Sequence, residues 1–191
     1  MIQVGIFLFN EVEVLDFAGP FEVFSLAKSE GKKLFHVSTI SEKEKVITAR
    51  NGLKVIPDFT FEDNKTFDIL IIPGGYGAEH IEIKKKNVLS WINHQSKNVD
   101  ILASVCTGAF LLAEIGLLDD KSATTHWLDI ERLQTDYPLI SVKENIKYVD
   151  EGKIITSAGI SAGIEMSLYI VSRIFNKKIA EETAKQMEYN L

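Results

Sequence analysis

The chain has a single cysteine, Cys106, among 191 residues, so it forms no internal disulfide and none of the multi-cysteine zinc patterns. Histidine is sparse as well: His36, His80, His94 and His126 are too scattered for a metal-site pattern, and no metal or other cofactor is expected. Basic residues are outnumbered, 21 against 27 acidic, and the net charge of −6 lacks the concentrated basic face of a nucleic-acid binder. The one run of cations, Lys84-Lys85-Lys86, reads as a solvated helix surface. Long apolar runs are missing too. Even the stretch from Ile101 is cut by Glu114, far short of a bilayer span, so no membrane partner is expected. Met1-Ile2-Gln3-Val4-Gly5 lacks the charged and apolar regions of a signal peptide, which makes a reducing cytoplasm the expected compartment. No linker, repeat or low-complexity tract divides the chain, and residues 1–191 read as one domain whose 46% hydrophobic content can fill a core.

What is present alternates. Ile2 to Phe9 is a continuous apolar stretch suited to a strand buried on both faces, and Val12 to Lys28 then carries apolar residues at helical spacing around Gly19-Pro20. Phe35 to Ile40 reads as a second strand. Val46 to Ile56 alternates around Asn51-Gly52, a hairpin signal for a sheet edge or flap. Phe67 to Ile72 is another buried strand running into Pro73-Gly74-Gly75-Tyr76-Gly77, and Ala78 to Lys97 is broadly helical. Val99 to Val105 and its following helix come next, then a short Ala123-Thr124-Thr125 strand and a helix from about His126 to Gln134. Ile146 to Val149 pairs with Lys153 to Thr156 across Asp150-Glu151-Gly152, and Ile160 to Phe175 precedes a charged terminal helix. This order implies an α/β fold: a mostly parallel central sheet with helices on both faces. Ligands bind such sheets at the carboxyl ends of the strands. Three distant segments are expected to converge there: the loop carrying Glu11, Glu13 and Asp16, the Pro73-Gly74-Gly75 turn, and Cys106-Thr107.

Cys106 falls on the strand-to-helix turn, where a sharp bend exposes a side chain at the sheet edge with backbone N–H groups aimed at it. A helix N-terminus favours negative charge and is expected to ease thiolate formation. The plain alternative is a small buried hydrophobe. Asp16 stands between Leu15 and Phe17, where desolvation raises a carboxyl pKa, so a neutral acid there can donate to the Cys106 sulfur and later move a proton. Asp16 as a simple helix cap is the competing reading. Glu13 and Glu22 read as solvated or supporting carboxylates, and His126 as either a base for the thiol or a structural histidine.

Met1 to Asn10, Leu15-Asp16-Phe17-Ala18-Gly19-Pro20, Ile71-Ile72-Pro73-Gly74-Gly75, Ser104-Val105-Cys106-Thr107-Gly108-Ala109 and Ala123-Thr124-Thr125-His126-Trp127 occur in the order typical of the ThiJ/PfpI superfamily. The resemblance spans essentially the whole chain. It implies a flavodoxin-like three-layer sandwich, commonly a homodimer, with the elbow cysteine as reactive centre. Many members carry histidine directly after that cysteine; here the residue is Thr107, which argues against a peptidase triad built on an adjacent histidine. The motif set, with Ser157-Ala158-Gly159-Ile160-Ser161-Ala162-Gly163-Ile164-Glu165, looks most like the isocyanide hydratase branch. That resemblance implies Cys106 as nucleophile, Asp16 as acid/base and Thr107 as polar support. It also implies Gly74, Gly75 and Ile160 as substrate- or oxyanion-binding positions, with His126 outside the catalytic set.

The implied chemistry is hydration of a small molecule. A thiolate adds to the isocyanide carbon to give a thioimidate while Asp16 moves the proton, and water then releases an N-substituted formamide. Two other roles fit the motifs. One is a non-catalytic sensor like those fused to AraC-type regulators, although the segment Asn176 to Leu191 is too short for a helix-turn-helix domain. The other is a glyoxalase- or deglycase-like stress protein whose cysteine oxidises to sulfinic acid.

Overall fold

The apolar runs form the strands of the central sheet because each is buried on both faces. A computed structural model describes residues 1–190; Leu191, the last residue of the span read as one domain, lies outside the described residues. The main elements are β1 (Ile2–Phe7), α1 (Val14–Leu26), β2 (Phe35–Ser41), β3 (Phe59–Thr60), β4 (Ile69–Ile72), α2 (Tyr76–His80), α3 (Lys86–Asn98), β5 (Ile101–Val105), α4 (Gly108–Glu114), α5 (Ile130–Asp136), β6 (Tyr148–Glu151), β7 (Ile154–Ser157), α6 (Ala162–Ile174) and α7 (Lys177–Gln186). Seven strands pair in the order β6-β7-β5-β4-β1-β2-β3, all parallel except the β6–β7 hairpin. Helices α1, α6 and α7 pack together, as do α2, α3 and α4, giving the flavodoxin-like three-layer sandwich.

Aromatic side chains fill the core around the sheet. Phe7 sits 5.1 Å from Phe9 and 5.7 Å from Trp91 of α3, while Phe35 contacts Phe24 of α1 at 5.0 Å and Phe175 at 5.7 Å. In register, Ile72 lies beside Ser104, and Val105 beside Ser157. The strands β4, β5 and β7 therefore end level, and the turns that follow them share one edge of the sheet. No helix among the described residues is long and apolar enough to cross a membrane.

The structure departs from the sequence expectations at identifiable places. Ala78 to Lys97 is not one helix: α2 ends at His80, the turn Glu82–Lys84 follows, and α3 restarts at Lys86. Lys85 at that break is no solvated surface residue, since its Nζ binds Glu82 Oε1 at 2.9 Å and Glu42 Oε2 at 3.1 Å. Lys84 and Lys86 are exposed as expected. The short strand near residue 123 is Ser122–Ala123, paired with Ser141–Val142, and Thr124 and Thr125 lie beyond it. The helix expected from His126 is a tight turn, Trp127–Asp129, leading into α5. The hairpin does form, Ile47–Thr48 pairing with Lys54–Val55 and Asn51 at φ 61° in its tip, but outside the main sheet.

Candidate active site

Cys106 occupies the turn between β5 and α4 at φ 57°, a left-handed conformation that a non-glycine residue holds only when its surroundings enforce it. They do so from both sides. Its N–H donates to the carbonyls of Ser157 at 3.2 Å and Ala158 at 3.3 Å, while its own carbonyl accepts from Thr125 Oγ1 at 2.8 Å. The residue is 6% exposed, enough to face a cleft yet shielded from bulk water.

Asp16 lies in the first turn of α1 with its carboxyl fully buried. It does not cap that helix; Glu13 holds the cap position. Asp16 Oδ2 accepts from the Gly74 N–H at 2.9 Å and Oδ1 from the Ile160 N–H at 3.2 Å. Burial pushes its pKa up to about 7 and the charge of Glu13 adds to the rise, while hydrogen bonds from Gly74, Cys106 and Ile160 restrain it. No cation compensates the carboxylate, so its proton is held near neutrality instead.

The thiolate expected from the helix terminus is not the resting form. Burial drives the Cys106 thiol well above its ordinary range, and the Asp16 and Asp129 charges push the same way. The hydrogen bond from the Thr107 N–H only partly offsets them, because α4 spans only seven residues and burial is the larger effect. Cys106 and Asp16 are thus a coupled pair in which either group carries its charge more easily when the other is neutral.

Thr107 and the glycines build the frame around that pair. Thr107 Oγ1 accepts from the Gly75 N–H at 2.9 Å and donates to the Gly75 carbonyl at 3.4 Å. A Cβ on Gly74 would stand 2.5 Å from the Thr107 nitrogen, and Gly75 sits at φ 117°, so both positions require glycine. Their expected role as substrate or oxyanion binders changes accordingly. The Gly74 N–H is taken by Asp16 and that of Gly75 by Thr107, so both donors have acceptors within the protein. Ile160, half-exposed at φ 54°, gives its N–H to Asp16 and its side chain to the cleft wall.

The cleft above Cys106 holds about 290 Å³ and is lined by Glu13, Gly75, Thr107, His126 and Ile160 from the expected set. Sequence reasoning missed Arg50, Tyr76, Glu79, Leu128 and Asp129, which complete it. Each follows a turn already singled out: Arg50 beside Asn51-Gly52, Tyr76 and Glu79 after Gly74-Gly75, Asp129 three residues past His126. Glu22 is exposed and takes no part. His126 Nδ1 accepts from the Leu128 N–H at 3.4 Å and faces Asp129 at 3.6 Å, so the ring is a wall of the cleft. A roomier depression of about 480 Å³ lies between Tyr148, Tyr169 and Lys177, but it contains neither the thiol nor a fully buried acid. No group of three or more metal-ligating side chains stands together among the described residues.

Known proteins resemble this chain over most of its length. The sequence profile of the DJ-1/PfpI family matches residues 2–173. An isonitrile hydratase of Pseudomonas putida is 32% identical over 188 residues, 98% of this chain and 78% of that protein. The transcriptional regulator CdhR of Pseudomonas aeruginosa is 30% identical over 173 residues, 91% of this chain, which spans about half the regulator's length. Among solved structures, a ThiJ/PfpI family protein from Pseudomonas syringae superposes with TM-score 0.88 at 23% identity, covering all of this chain and 76% of that one. Drosophila melanogaster DJ-1beta gives 0.85 at 20% identity, covering 100% and 99%. With the elbow, the sheet order and the profile in agreement along the same residues, the chain belongs to the DJ-1/PfpI family.

Proposed function

We infer that this protein hydrates a small isonitrile to the N-substituted formamide through a covalent Cys106 adduct. The observation that carries the reading is the pair itself: a buried acid with a pKa of about 7, uncompensated by any cation, set against the only thiol. The 32% identity to an isonitrile hydratase over nearly the whole chain supports the same chemistry.

In the first step the Asp16 carboxylate takes the thiol proton and delivers it to the terminal isonitrile carbon while sulfur bonds to that carbon, giving a thioimidate, R–N=CH–S–Cys106. The carbon gains one hydrogen and one sulfur. Asp16 ends the step as the carboxylate, ready to deprotonate a water molecule. That water adds to the same carbon, nitrogen accepts a proton, and the C–S bond breaks to release R–NH–CHO with the thiol restored. Thr107, Gly74 and Gly75 hold the two reacting side chains in register. A cleft of about 290 Å³ suits a compact substrate.

The purified protein is incubated with a simple aryl isonitrile and formamide is followed, with Cys106→Ala as control. Turnover that depends on Cys106 is expected, and full turnover in Cys106→Ala overturns the reading. Saturable isonitrile binding without turnover points instead to the sensing role suggested by the regulator relatives.

A further inference from the structure

The charged and titratable groups around Cys106 come from every wall of the cleft: Asp16 in α1, Glu13 at its head, Arg50 from the hairpin, Glu79 in α2, and His126 with Asp129 in the turn before α5. Acids predominate. Glu79 and Asp129, both mostly buried, reach into the cleft from different elements and share one partner outside it. That partner is Arg132 of α5, whose NH2 binds Glu79 Oε2 and also meets Asp129 Oδ1 at 2.8 Å. Its guanidinium lies 4.3 Å over the ring of Phe110, which belongs to α4 just behind the cysteine. The Arg132 Nε is buried without a hydrogen-bond partner, so the side chain is placed for its two carboxylates at the expense of its own full pairing.

We propose that Arg132 is a positioning residue of the Cys106 site: it ties α2 to the turn before α5 and offsets the charges of Glu79 and Asp129 on the cleft wall. This rests on Cys106 being the reacting group, and not on which substrate it takes. Geometry explains the residue type. A planar fork serves two carboxylates and stacks on an aromatic face at once, whereas lysine is a point charge that does neither together. Of the two carboxylates that Arg132 holds, Asp129 is the one whose charge acts on the sulfur, after burial and Asp16, which fixes the order of effects among variants.

The test reads the alkylation rate of Cys106 by iodoacetamide across pH, which needs no isonitrile and so is independent of the hydratase reading. Arg132→Met is expected to slow alkylation about tenfold at neutral pH and move its profile up by about one unit, the usual size of a like-charge effect. Adding Asp129→Asn to Arg132→Met is expected to restore most of the rate, and Arg132→Lys to restore only part. Asp129→Asn alone is expected to react faster than the unaltered protein, the sign opposite to damage. A folded Arg132→Met protein with the original rate and profile overturns the proposal, and so does a slow variant that Asp129→Asn fails to rescue. Circular dichroism decides which variants are folded. If Arg132→Met does not fold, Asp129→Asn decides alone: faster alkylation supports the proposal, and an equal or slower rate overturns it.

Discussion

Among the described residues two side-chain carboxyls are fully buried, Asp16 in the cleft and Glu82 beneath the turn between α2 and α3, and they are handled in opposite ways. Glu82 is 1% exposed and has a cation: Lys85 Nζ at 2.9 Å, which also reaches Glu42. Burial raises the Glu82 pKa, but the Lys85 hydrogen bond and charge oppose the rise. Burial alone would lower Lys85; its hydrogen bonds to Glu82 and Glu42 outweigh that and raise it. Asp16 has two backbone N–H groups and a thiol but no cation. A paired buried charge is a fastener, whereas an unpaired one becomes a proton that moves near neutral pH.

The largest expected effect is at the cleft. Cys106→Ala reduces isonitrile turnover to background and leaves the fold intact, as circular dichroism will report. Asp16→Asn follows, with kcat down about 10²–10⁴-fold, the usual contribution of a positioned acid or base. In the unaltered protein kcat/KM rises with pH through about 7 as Asp16 becomes the carboxylate that accepts the thiol proton; a flat profile across that range breaks the assignment. Stability runs the other way. From about pH 4 to 7 the unfolded chain has released the Asp16 proton while the folded one keeps it, so stability falls as pH rises across that window, by up to about 4 kcal/mol. Asp16→Asn should remove this slope in urea titrations at several pH values.

The Glu82 cluster should behave as its mirror image. Lys85→Met destabilises by about 2 kcal/mol, less than for a fully buried pair because the lysine is 31% exposed, and leaves turnover unchanged. An activity loss there equal to that of Asp16→Asn would erase the distinction between the two sites. The smallest effect sharpens it: Thr125→Val removes the hydroxyl that holds the Cys106 carbonyl, costing about 1–2 kcal/mol in stability and a few-fold in turnover.

Much of this was readable in the chain because burial on both faces leaves a plain signature. Ile69–Ile72 is a continuous apolar run and Ile101–Val105 is broken only by Ser104, and each stops at a turn motif that fixes where the sheet edge lies. β3 escaped notice because it is only Phe59 and Thr60, and its pairing with Ile40 and Ser41 is a property of the partner. The break at residues 81–85 carries the ion cluster, whose partner Glu42 lies far away in the chain and is invisible to helical spacing. At the site, Cys106 and Asp16 stand in recognisable turns, but Arg50 and Glu79 reach the Asp129–Arg132 stretch only when distant segments converge. The resting state of the thiol was equally hidden, since burial depends on what packs around it.

Asp16 takes its two backbone hydrogen bonds from residues 58 and 144 positions further along the chain. Burial, which these bonds only restrain, is what tunes the acid, and α6 packs over α1, so on an elongating polypeptide Asp16 is an ordinary carboxylate until α6 has emerged and docked. The nascent chain carries its only cysteine long before the proton partner is tuned. The pairing of Cys106 with a buried acid is therefore completed only when the segment after β7 is in place, and a chain truncated before it carries a carboxyl that burial has not tuned.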